Sequence, residues 1–168
     1  KAPDWFYVPR VNPIPEDVVR RSYTPQLEGD AVAVVMEFLS ADDNGELSIR
    51  SIAPYGKLYF YEHILQVPTY VIYAPQRAKL EVRHLQNGRY EIQQPDAAGR
   101  FWIEPLELFL GIWYGERLAQ TLNWLRWWDA DGNLLLWSSE QAEAERQRAD
   151  RLAELLRAQG IDPDQLPQ

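Results

Sequence analysis

The sequence predicts an α/β protein, and three stretches predict it. Residues 30–40, DAVAVVMEFLS, form a nearly unbroken valine-rich run closed by polar residues, the composition of a strand covered on both faces. Residues 55–65 set Leu58, Tyr61 and Leu65 on one helical side and Phe60 and Ile64 on the next, with Pro54 placed where a helix can begin. Residues 69–73 are β-branched and aromatic. Strand, helix and strand in this succession predict that the second strand runs parallel to the first.

The flanking segments complete the expectation. Residues 5–8 read as a short aromatic strand with Asp4, Phe6 and Val8 on one side, and the proline-rich 9–25 as an irregular connection. Beyond residue 78 strands follow quickly, at 79–85, 90–93, 101–103, 106–113, 122–128 and 134–137, with turns at Asn87-Gly88, Pro95-Asp96, Gly115 and Asp131-Gly132. They make an antiparallel meander appended to the strand-helix-strand unit. The last segment is a helix, with Ser138 and Gln141 spaced as a capping box and Gly160 ahead of Ile161, Asp162 and Pro163 as its end. Residues 1–137 therefore read as one domain and 138–168 as a charged, projecting helix and tail. Its Ala149, Leu152 and Leu156 form a narrow apolar seam suited to a homodimer.

At 168 residues the chain is long enough for one core and short for two. It contains no cysteine and only His63 and His84, which removes disulfides, thiolate chemistry and imidazole-rich metal sites. Any metal would be a hard cation held by oxygens. No run has the length of a membrane span and no signal-peptide pattern opens the chain, which predicts a soluble, cytoplasmic protein without a membrane partner. The net charge is −8, with 18 acidic and 13 basic residues ahead of residue 138. Such a body lacks the basic surface through which polyanions are bound nonspecifically.

Glu37 is the anomaly in the central run. Uncompensated burial of an ionised group is so costly that such a residue neutralises, pairs, binds a metal, or lies at a frayed strand end with its head in water. On a two-residue period it shares its face with Ala33, Val35 and Leu39, while Val32, Val34, Met36 and Phe38 point the other way. Lys57 and Tyr61, four apart, share one helix face. Asp4, Glu37 and Lys57 are the sharpest candidate set: two carboxylates at strand ends can hold a divalent cation, and a lysine beside them can orient an attacking water. Asp42, Asp43 and Glu46, in the loop after the Glu37 strand, are candidate outer groups. Asp129, Asp131 and Asn133 with Glu140 imitate a calcium loop, but Gly132 falls at the fourth position, so a turn is expected there.

In order along the chain, Pro3-Asp4-Trp5-Phe6, Glu28-Gly29, Val35-Met36-Glu37-Phe38-Leu39-Ser40, Gly56-Lys57 with Tyr61-Glu62, and Val67-Pro68-Thr69-Tyr70-Val71-Ile72 resemble the Uma-type endonuclease family. Gly111-Ile112-Trp113, Leu125-Arg126-Trp127-Trp128-Asp129 and Arg151-Leu152-Ala153 extend the resemblance through the later part. The resemblance implies a restriction-endonuclease-like fold of the PD-(D/E)XK nuclease superfamily, with a central mixed sheet, and DNA as substrate. It also implies that Asp4 and Glu37 are ligands of Mg2+ or Mn2+, with Lys57 and its neighbour Tyr61 completing the catalytic set. Three departures accompany it. Leu39 stands at the strand position where the superfamily carries its lysine, Ala74 stands where the family has aspartate, and the chain begins at Lys1, which suggests an N-terminally incomplete domain. Leu39, Ala74, the acidic body and the charged C-terminal helix favour the alternative of a catalytically inactive, nuclease-fold interaction or regulatory module.

Overall fold

A computed structural model describes residues 2–39 and 56–160. The expectations for Asp42, Asp43, Glu46, Pro54 and the segment after Gly160 lie outside them. Two compact units, Lys1–Asn133 and Leu134–Gln168, are present.

The first unit is the α/β body. Its strands are β1 (Trp5–Tyr7), β2 (Val34–Phe38), β3 (Thr69–Ala74), β4 (Lys79–Gln86), β5 (Arg89–Ile92), β6 (Phe101–Ile103), β7 (Leu108–Arg117) and β8 (Gln120–Trp128). Among the described residues between β2 and β3 is a helical segment, α1 (Lys57–Tyr59), which continues as a π-turn over Phe60–Ile64. Five strands form a mixed sheet in the order β1-β2-β3-β4-β5, and the last three form a separate sheet, β6-β7-β8. The pair β2 and β3 is parallel, with Val35 opposite Tyr70 and Glu37 opposite Ile72, as the strand-helix-strand pattern predicts. Every other pairing is antiparallel.

The meander is thus divided. β4 and β5 extend the central sheet, because a tight turn through Pro75–Arg77 and Ala78, which is left-handed at φ +47°, folds β4 onto the open edge of β3. The same device recurs at Glu104–Leu106, where Glu107 is left-handed and delays β7 to Leu108, two residues past the expected start. Gly115 is not a turn. β7 runs through it to Arg117, and the reversal falls on Leu118 and Ala119, both at positive φ. A Cβ at Gly115 would lie 2.0 Å from the Trp113 ring, so glycine is required there to let that indole cross the strand.

Two cores sandwich the central sheet. Val34, Met36, Val71 and Val82 pack against Phe101, Ile103 and Leu110 of the second sheet. Val35, Tyr70 and Ile72 pack on the other face against Leu58, Tyr61 and Val67. The alternation in β2 therefore divides its side chains between two layers, and Glu37 goes with Val35 to the helical side. The helix is shorter than residues 55–65 suggest, and Leu65 is 37% exposed rather than aligned with Leu58 and Tyr61. The π-turn is the cause: the Leu65 N–H bonds the Phe60 carbonyl five residues back, which inserts an extra residue into the turn and rotates Leu65 out of the stripe.

Asp129 closes the expected turn, accepting the Asn133 N–H on Oδ1 at 2.8 Å and the Asn133 amide on Oδ2 at 2.9 Å. The expected strand at 134–137 does not form; only Leu134 is a bridge residue, and the run hands over directly to α2 (Ser138–Ala158). The capping pair is shifted by one residue. Trp137 is the extended residue ahead of the helix, and its N–H donates to Glu140 Oε2 at 2.8 Å, so Ser138 is already helical. Gly160 ends α2 at φ +78°, donating to the Arg157 carbonyl, as the sequence predicts. No α2 residue is fully buried, and Leu152 and Leu155 are 52% and 63% exposed.

Candidate active site

The site is assembled at the C-terminal end of β2. Glu37 is fully buried, on the sheet face covered by the helical segment. The helix follows Gly56, an extended and buried residue at its N-cap. Lys57, the first helical residue, reaches back to the strand, and its Nζ donates to Glu37 Oε2 at 2.8 Å. One turn later the Tyr61 hydroxyl donates to Glu37 Oε1 at 3.1 Å. Each carboxylate oxygen thus has one donor, which is how a buried charge is compensated. The four-residue spacing of Lys57 and Tyr61 works as expected, because their separation spans the two oxygens of one carboxylate.

Asp4 arrives from the antiparallel edge strand. Phe6 is opposite Val35 and Trp5 opposite Met36, so one further step of the same register sets Asp4 beside Glu37. Asp4 Oδ2 accepts the Phe38 N–H at 2.7 Å, across the peptide that follows Glu37. The even residues of β1 face the helical side and the odd ones the second sheet, where Trp5 meets Trp127 at 6.3 Å and Tyr7 packs in the core.

Desolvation by burial raises the Glu37 pKa above its ordinary value. The Lys57 hydrogen bond and charge pull it back, the Tyr61 hydroxyl does so less, and the Asp4 charge pushes it up. Tyr61 is shifted strongly upward, first by burial and then by the Glu37 carboxylate it bonds, so it is a neutral donor at any working pH. Leu39, one residue beyond β2, packs against the apolar core on the helical side. The cation beside Glu37 comes from the helix.

No spacing or period in the sequence gives Tyr70 a place at the site. Its ring lies 5.5 Å from that of Tyr61 and backs it from the sheet. Only the parallel register, which puts Tyr70 opposite Val35, reveals this. Among the described residues no cluster of three or more acidic or histidine side chains could hold a metal. Two carboxylates remain, and each Glu37 oxygen keeps a lone pair after its one hydrogen bond. Asp4 Oδ1 takes no hydrogen bond from the described residues. Asp4 and Glu37 are thus the two carboxylates that could hold a small divalent cation such as Mg2+, which takes one or two protein carboxylates.

A family model described as Uma2, "Putative restriction endonuclease", matches residues 1–120, which covers β1 to β7 and every residue of this constellation. The chain belongs to the Uma2 family. No curated protein and no solved structure matched it significantly. The match spans the whole mixed sheet and includes Asp4, Glu37 and Lys57. It also places the Uma2 chain in an endonuclease family. No helix among the described residues is long and apolar enough to cross a membrane.

Proposed function

We propose that this Uma2 protein is a metal-dependent endonuclease that hydrolyses phosphodiester bonds of DNA. The observation that carries the proposal is the fully buried Glu37 with Lys57 Nζ at 2.8 Å and Asp4 bonded to the adjoining peptide. Asp4 and Glu37 hold the cation, Mg2+ or Mn2+. When bound, that ion offsets the charge of the scissile phosphate and makes a water more acidic.

The protein groups do the rest. Glu37 Oε2 fixes the position of the Lys57 ammonium, whose charge orients the attacking water and stabilises the charge that develops on the phosphoryl oxygens. Tyr61 holds Glu37 Oε1 so that the carboxylate plane is set from both ends. Asp4, tied to the Phe38 amide, is kept at the strand end where a phosphate can approach. Nicking of supercoiled DNA by the protein with Mg2+ or Mn2+ tests the assignment, with Glu37→Gln and Lys57→Ala as controls. Undiminished cleavage by both variants refutes it.

A second function, that of a nuclease-fold interaction module without activity, is favoured by one specific observation: the Lys57 ammonium already pairs with Glu37 and the Tyr61 hydroxyl already bonds it, so its burial is compensated by protein groups. Calorimetric titration with Mn2+ separates the two. Binding that disappears in Asp4→Asn and Glu37→Gln supports the nuclease, and no binding by the unaltered protein supports the module.

A further inference from the structure

Tyr61 can serve Glu37 only if its hydroxyl stays at the carboxylate, yet it lies in a π-turn, a conformation short of regular helical geometry. Two side chains outside the proposed catalytic set hold that turn. Glu62, the next residue, extends Oε1 to the backbone N–H of Tyr90 at 2.6 Å, while its Oε2 pairs with His63 Nε2 at 2.8 Å. Tyr90 lies in β5, the edge strand of the central sheet. Water could satisfy an edge-strand N–H, so the sheet does not need this carboxylate; a charged acceptor makes the bond about twice as strong as a neutral one. Tyr90 reciprocates. Its hydroxyl donates to the Val67 carbonyl at 2.9 Å, where the chain leaves the turn for β3. Its ring lies 5.6 Å from Tyr70, which lies 5.5 Å from Tyr61.

We infer that Glu62 and Tyr90 are positioning residues, a strut between β5 and the π-turn that fixes the Tyr61 hydroxyl on Glu37. The inference rests on the proposed nuclease site for its consequence in catalysis, but not for its geometry. The strut grips the turn at its middle, through the Glu62 side chain, and just past its end, through the Val67 carbonyl, and the ring stack closes the third side. Without it the turn is free to rewind toward α geometry, which would carry Tyr61 around the helix axis and away from the carboxylate.

The test uses tyrosine labelled with 13C at the ring carbon that bears the hydroxyl, a signal sensitive to the phenol hydrogen bond, with Tyr61 assigned by Tyr61→Phe. Glu62→Ala is expected to displace the Tyr61 signal and to lower kcat for DNA nicking about 10- to 100-fold at unchanged KM, the cost of a small misplacement near the reacting groups. Glu62→Gln, whose amide oxygen still accepts from the Tyr90 N–H, is expected to return both. Should Glu62→Ala fail to fold, Tyr90→Phe removes only the bond to Val67 and is expected to displace the signal in the same direction. A Tyr61 signal unmoved in whichever of these two variants folds, or one that Glu62→Gln does not return, overturns the inference. If the unaltered protein cleaves no DNA, the nuclease assignment fails while the Tyr61 signal still decides the strut.

Discussion

Replacing Lys57 by methionine removes the cation from a buried carboxylate while keeping most of the side-chain volume. At the observed 2.8 Å, two unit charges attract by about 6 kcal/mol at an effective dielectric of about 20. The Lys57 side chain is 20% exposed, so water screens the pair and the loss falls to about 2–4 kcal/mol at pH 8, in line with breaking a buried pair by removing one partner. Glu37 has an escape, since it can take a proton. Its pKa is already raised by burial, and loss of Lys57 removes the largest opposing effect. A carboxyl group raised in the folded state contributes stability that is fully present below its unfolded pKa, near 4.5, and is lost as pH rises through the folded value. The variant is therefore expected to approach the unaltered protein at pH 4.5–5 and to fall progressively below it toward pH 8. Urea denaturation at several pH values measures the difference directly. At pH 8 the loss corresponds to a Tm lower by roughly 5–15 °C for a chain of this size. A penalty that does not change with pH, or one that Glu37→Gln in the same chain fails to relieve, refutes the assignment of the pair as a buried charge and its counterion.

Four further outcomes follow from the same geometry. Glu37→Gln is expected to cost less in Tm at pH 8 than Lys57→Met, because the partly exposed Lys57 ammonium it leaves can reach water and the amide can accept from Lys57 and donate to Tyr61, while DNA nicking falls by at least about 100-fold; a larger loss of Tm than in Lys57→Met would contradict this. In Asp4→Asn the amide oxygen still accepts the Phe38 N–H, so stability should change by under about 0.5 kcal/mol while Mn2+ binding measured by calorimetry is lost. Tyr61→Phe leaves Glu37 Oε1 buried without its donor and is expected to cost about 1–3 kcal/mol in urea denaturation, with no loss pointing to an alternative donor. For α2, the Ala149, Leu152 and Leu156 seam predicts a homodimer by light scattering that Leu152→Lys dissociates; a monomeric mass for the unaltered protein removes that proposal.

Much of this architecture is carried by local pattern. The valine-rich run from Val32 to Phe38, the four-residue spacing of Lys57 and Tyr61, and the Asn87-Gly88 reversal each follow from side-chain period or turn chemistry, which act over a few residues. The expectations that moved depended on neighbours. The short apolar run at 134–137 has the composition of a strand, but a ladder needs a second strand, and among these residues only Leu134 makes a bridge. Gly115 has turn chemistry, but here it makes room for the Trp113 ring.

The same division runs through the candidate site. By itself the sequence determined that a carboxylate lies in an apolar strand and that a lysine and a tyrosine share one face of the following helix, because composition and period are written in the order of residues. Which of the possible fates Glu37 meets was a tertiary matter. Its full burial, the Lys57 ammonium on one oxygen and the Tyr61 hydroxyl on the other depend on how a parallel strand pair and a short helix pack. The nearness of Asp4 depends on an antiparallel register formed across some thirty intervening residues, and the link from Glu62 to the edge of β5 depends on a π-turn. Contacts between distant segments are set by the packing of whole layers, which no single stretch of sequence encodes.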